Sequence, residues 1–202
     1  MSSKNVNWLK ISGICGIITP IVAFTLILLA INFSAQFSWR ENALSDLGVQ
    51  EGVTAILFNS GLIIAGILAL IFATGVFIFL HEKMLGRIGA FLLILTTLAL
   101  FAIGIFPEDV KPTHFYVSVA FFVFFPVSML VIAAAFSLIG RVKMSLFTFL
   151  VAIVAAAVWI VQFSKPFVSG VAIPETVAAL SGSAWSIVLG FKMLKEASHS
   201  SM

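Results

Sequence analysis

Charge is what this chain has least of. Only 9% of its residues are Asp, Glu, Lys or Arg, where a water-soluble domain carries about a quarter. That scarcity excludes a surface fully exposed to water. Cysteine is almost absent as well: Cys15 stands alone, which excludes an intramolecular disulfide and any metal site built from paired cysteines. The familiar catalytic signatures are missing: there is no HExxH, no GxSxG and no phosphate-binding loop. Nor does any basic patch interleaved with aromatics point to a nucleic-acid partner.

What fills the chain is apolar. Hydrophobic residues make up 61% of it, with a mean hydropathy of +1.20. Crossing the hydrocarbon core as a helix takes about 20 residues, and six runs qualify: 9–33, 54–80, 87–106, 114–138, 144–163 and 173–194. They are continuously apolar rather than alternating, which argues for helices and against a barrel. The expected architecture is an all-α bundle of six transmembrane helices forming one integral membrane domain over 1–202. The first run exceeds the core of about 7–15 residues found in a signal peptide, so it reads as a retained anchor.

The sparse charges alternate sides along this path. Lys4, Lys10, Lys83, Arg87, Arg141, Lys143, Lys192 and Lys195 fall at one face; only Arg40, Lys111 and Lys165 fall at the other. Basic residues are retained on the cytoplasmic side during insertion. The expectation is a multi-pass protein of the cell membrane with both termini cytoplasmic. The acids divide the opposite way, with Glu41, Asp46, Glu51, Glu108, Asp109 and Glu175 outside.

Helix contacts in lipid favour small residues. Gly182, Ser186 and Gly190 repeat every fourth position in the last run, and Ala152 and Ala156 do so in the fifth. Pro20 and Pro126 lie inside runs, where each removes a backbone hydrogen bond.

Candidate chemistry collects at the outer face. In the first outer link, Ser38 and Glu41 have capping-box spacing, Leu44 and Leu47 share one helical face, and Gly48 suits a left-handed end. A short interfacial helix explains all of these except Asp46, whose carboxylate near the helix end opposes the dipole and calls for a compensating cation, metal or basic partner. In the second link, Glu108 and Asp109 precede Thr113, a candidate cap, and His114 in the first turn of the fourth run. The dipole there disfavours protonation of the imidazole, and Ser118 lies one turn further on. Glu175 follows Pro174 at the start of the sixth run, where an acid is favoured. Asn59 sits one turn inside the second run and needs a partner.

The segment Asn42-Ala43-Leu44-Ser45-Asp46-Leu47-Gly48 resembles the N-x-[IL]-S-D-L-G signature of the domain-of-unknown-function 998 family of polytopic membrane proteins. Phe58-Asn59, Phe106-Pro107 and His114 continue the resemblance. Glu175 corresponds to the glutamate of that family's Gly-x-x-Glu-Arg motif, with Thr176 standing in place of the arginine. A more distant likeness is to the damage-regulated autophagy modulator and GPI-anchor-remodelling membrane proteins, which share an I-S-D-x-G segment and a later histidine. It implies six spans and lipid-related work at the outer face.

These residues lead to an expected extracytoplasmic site that binds or modifies a lipid headgroup. Asp46 and His114 form its acid–base pair and Asn59 orients one of them. Arg40 or Lys111 meets phosphate, and Asn42, Ser45, Glu108, Asp109, Ser118 and Glu175 contribute binding groups. No cofactor is expected beyond a divalent metal, for which Asp46, His114 and Glu175 are the candidate ligands. A small-solute or ion transporter and a non-catalytic membrane scaffold are the alternatives. The partners are the bilayer and a headgroup, with oligomeric state left open.

Overall fold

The computed structural model describes residues 3–199. Six long helices account for nearly all of them: α1 (Ser3–Phe33), α2 (Val53–Phe79), α3 (Met84–Ile105), α4 (Thr113–Leu138), α5 (Val142–Ser164) and α6 (Ala172–His199). All six are long and apolar enough to cross a bilayer. With no water in the hydrocarbon core, each backbone donor and acceptor must be satisfied inside its own helix, which is why apolar runs of this length become helices.

The short links make sequential helices neighbours, and α6 returns to pack on α1. Small residues permit the close approaches. A Cβ placed on Gly190 would stand 2.6 Å from the carbonyl oxygen of Gly13, and one on Gly13 would stand 2.8 Å from that of Gly190. The α1–α6 seam is thus nearly backbone on backbone. Gly182 faces the Phe125 ring of α4. On α5 the fully buried small residues are Ala152 and Ala155, whereas Ala156 is only partly covered.

The two ends of the bundle differ. At one end Arg141, just before α5, forms a two-pronged ion pair with Glu196 of α6 and lies over the Phe79 ring. The three longer links meet at the other end, hereafter the acidic end. There a 310 helix, η1 (Leu44–Val49), is inserted between helix tips. Leu44 and Leu47 pack in a cluster with Ile27, Phe58, Leu62, Ile103 and Ala172, and Leu47 has no exposed surface. A short helix is therefore present where the sequence suggested one, and its leucine face plugs the end of the bundle.

Candidate functional site

The plug begins in a turn. Ser38 N–H donates to the Asn42 side-chain oxygen at 2.8 Å, and Asn42 N–H donates to the Ser38 carbonyl at 3.0 Å. The Asn42 amide then donates to Asp46 Oδ2 at 2.6 Å, and the same oxygen accepts Ala43 N–H at 3.0 Å. Asp46 thus reaches back from the first turn of η1 to the residue before it, which is the carboxylate half of a capping box. This corrects two expectations. The helix starts at Leu44, after the Ser38–Glu41 turn, so Asp46 lies near the helix start, with Asn42 and Ala43 as its partners. Gly48 is not left-handed; the positive-φ glycines are Gly52 and Gly140. What restricts Gly48 is space, because a Cβ there would lie 2.6 Å from Asn59 Oδ1.

Asn59 donates its amide to the Gly48 carbonyl at 2.9 Å. Its role is to fasten the plug to α2, and it orients neither Asp46 nor His114.

The start of α6 is tied to the same segment. Gly170 N–H donates to the Arg40 carbonyl, and Val171 and Ala172 N–H both donate to the Asn42 carbonyl. Buried Gln162, at the end of α5, holds the Val168 and Gly170 carbonyls from the far side. This brace places Glu175 so that its Oε2 accepts Leu44 N–H at 2.6 Å, across 131 positions of sequence. Glu175 was readable as a first-turn acid, but its actual donor belongs to the plug.

Glu108 closes the cap from the link between α3 and α4. Its Oε2 accepts the Ser45 hydroxyl at 3.2 Å, and its carboxyl meets that of Asp46. Burial pushes the Glu108 carboxyl above its ordinary range, and the Asp46 hydrogen bond and charge add to the rise; Ser45 and the nearby His114 oppose it. Asp46, Glu108 and Glu175 therefore crowd around Leu44 and Ser45.

His114 is buried in the first turn of α4. Its Nδ1 lies 2.7 Å from the Phe106 carbonyl. A carbonyl only accepts, so Nδ1 carries the proton, and in the neutral ring Nε2 is an acceptor. The Ser118 hydroxyl lies 3.3 Å from that Nε2. Asp46 and His114 bond to separate partners, and Glu108 lies within electrostatic reach of both. Thr113 opens α4, but the residue before the helix is Pro112 and no side chain caps it. Arg40, Asp109 and Lys111 are exposed, and their side chains make none of the site's hydrogen bonds. Among the described residues no three His, Cys, Asp or Glu side chains are arranged to hold a metal ion. Asp46, His114 and Glu175 each engage a separate partner: the Asn42 amide, the Phe106 carbonyl and Leu44 N–H.

Beneath the cap lies a feature the sequence did not disclose. A cavity of about 180 Å³ extends from Leu44, Ser45 and Glu175 down between α1, α2, α3, α4 and α6. Ser118 is in its wall near the top. Pro20, Phe72, Phe121 and Phe125 are further down, and Trp185 is the deepest large ring on α6. Glu175 and Trp185 are ten residues apart on one helix, about 15 Å along its axis. Trp185 is fixed by a 2.9 Å hydrogen bond to Thr148 and an edge contact with Phe72. The mid-depth hydroxyls of Thr19, Thr96 and Thr97 are used on their own helices, by Cys15, Leu92 and Ile94 carbonyls.

Neither the curated proteins nor the solved structures contain a match to this chain. A family model described as protein of unknown function (DUF998) matches residues 17–192, and the chain belongs to that family.

Proposed function

We propose that this multi-pass membrane protein binds a membrane amphiphile at its acidic end, with the head at the polar cap and the tail in the cavity between the helices. One observation carries the reading. Ser45, Ser118 and Glu175, which are polar, and Phe72, Phe125 and Trp185, which are apolar, line a single continuous space. Small-molecule sites have this character, with mostly apolar walls and a few converging polar groups. The excess of Lys and Arg at the opposite end supports an extracytoplasmic cap, cytoplasmic termini and residence in the cell membrane. A transport route through the cavity is less well supported, because intramembrane ionisable residues mark such routes and the mid-depth lining offers only hydroxyls bonded to their own helices.

The test is lipid retention. Ala179 lines the cavity, and Ala179→Phe fills it. Mass spectrometry of the purified protein is expected to find a bound amphiphile in the wild type and to lose it in this variant. An identical lipid complement in two well-folded proteins would overturn the reading.

Modification of the bound head is a second reading, favoured by the His114–Ser118 pair. Nε2 is aimed at a hydroxyl in the cavity wall while Nδ1 is anchored by Phe106, the arrangement of a general base. On this reading His114→Gln and Ser118→Ala each leave the amphiphile bound and abolish its conversion.

A further inference from the structure

The acidic cap and the cavity together indicate which head the site accepts. We propose that the occupant is a single-chain amphiphile with a primary ammonium head, which sits against Glu175; the proposal rests on the cavity-binding reading above. The cap holds three carboxyl groups, and only that of Glu175 borders the cavity. Asp46 and Glu108 are engaged with the plug and with each other. Glu175 forms part of the cavity wall. Its Oε2 is used by Leu44 N–H, and no donor among the described residues reaches its Oε1.

A carboxylate facing an apolar wall is costly unless a donor or a cation meets it or it takes up a proton, and a bound cation favours the charged form. No protein cation meets Glu175. Arg40 and Lys111 are exposed and make none of the cap's contacts, and the Nδ1 proton of His114 is committed to Phe106. An anionic phosphate head would find no cation in the cavity wall, whose one ionisable side chain is the Glu175 carboxyl. An ammonium supplies three donors and a positive charge. Depth suits a tail: about 15 Å of helix separates Glu175 from Trp185, and the wall between them is built from groups such as Ala178, Ala179 and Gly182.

Trp185 provides the readout, because it is buried from lipid yet borders the cavity. With Trp8→Phe, Trp39→Phe and Trp159→Phe leaving it as the only indole, the full chain is placed in nanodiscs of zwitterionic lipid. It is then titrated with bromine-tipped long-chain probes: a primary amine, the matching alcohol and the matching phosphate monoester. The amine is expected to quench Trp185 at the lowest concentration. Glu175→Gln is expected to weaken the amine at least about tenfold, the scale of losing a hydrogen bond to a charged group, and to leave the alcohol unchanged.

Equal quenching by all three probes, or a Glu175→Gln response shared by amine and alcohol, overturns the ammonium assignment but leaves the cavity reading intact. No quenching by any probe, with Ala179→Phe indistinguishable from the parent, removes both. Thermal unfolding of each variant separates lost binding from lost folding, and Glu175→Asp provides a charge-retaining control expected to recover part of the amine preference.

Discussion

At the residue scale the cap is a set of carboxyl groups, of which Glu108 and Glu175 take their donors from a distant part of the chain. Glu108 shows how this governs pH response. Its folded-state carboxyl is raised from an ordinary value of 4.5 by burial, then by Asp46. The folded protein therefore holds a proton more tightly than the unfolded chain does. Stability depends on pH through the difference in bound protons, and it falls with rising pH wherever the folded state binds more. The contribution of Glu108 is complete below about pH 4.5 and is lost as pH climbs through the raised value. Glu108→Gln, which mimics the protonated form, is expected to flatten that decline. Thermal unfolding measured from pH 4 to 8 should show the wild type losing melting temperature more steeply than the variant. Parallel curves would mean that Glu108 does not hold the proton.

At the element scale the plug is the decisive piece. Leu47 is completely enclosed among helix tips, and truncation of a core leucine costs about 2–5 kcal/mol. Leu47→Ala is expected to fall in that range by reversible unfolding in mixed micelles, and to expose the top of the cavity so that Trp185 is quenched faster. The α1–α6 seam makes a second prediction. Gly190 leaves no room for a Cβ against Gly13, so Gly190→Leu forces the two helices apart. Overpacking of this kind costs about 1–3 kcal/mol, and a spin-label pair on α1 and α6 should report a longer distance.

The same elements show what could be read from sequence. The spans were legible because lipid imposes one solution on a long apolar run. The plug was only half legible. Its leucine face was visible, but its start was misplaced, because capping rules look for Ser, Thr, Asp or Asn at the cap and here Ala43 occupies it with Asp46 reaching back. Glu175 on Leu44 could not be read, since the contact joins positions 131 apart. Gln162 carries the same sequence signal as Asn59, an amide near the end of an apolar run. The cavity had no sequence signature, because it is space left between helices.

At the scale of the whole molecule, the proposed function depends on which side of the membrane the cap faces. The charge asymmetry argues for the exterior: eight Lys and Arg residues are allotted to the terminal end and three to the acidic end, and retention of basic loops orients the chain. Cys15 is the sole cysteine and is buried, so Cys15→Ser yields a clean background. Lys165 follows α5 at the acidic end and is exposed. Lys143 lies in the first turn of α5 at the other end and is also exposed. In intact cells a membrane-impermeant maleimide is expected to label Lys165→Cys and to miss Lys143→Cys until the membrane is permeabilised. Labelling in the reverse order would put Asp46, Glu108 and Glu175 against the cytoplasm, and the amphiphile would then have to enter from the inner leaflet.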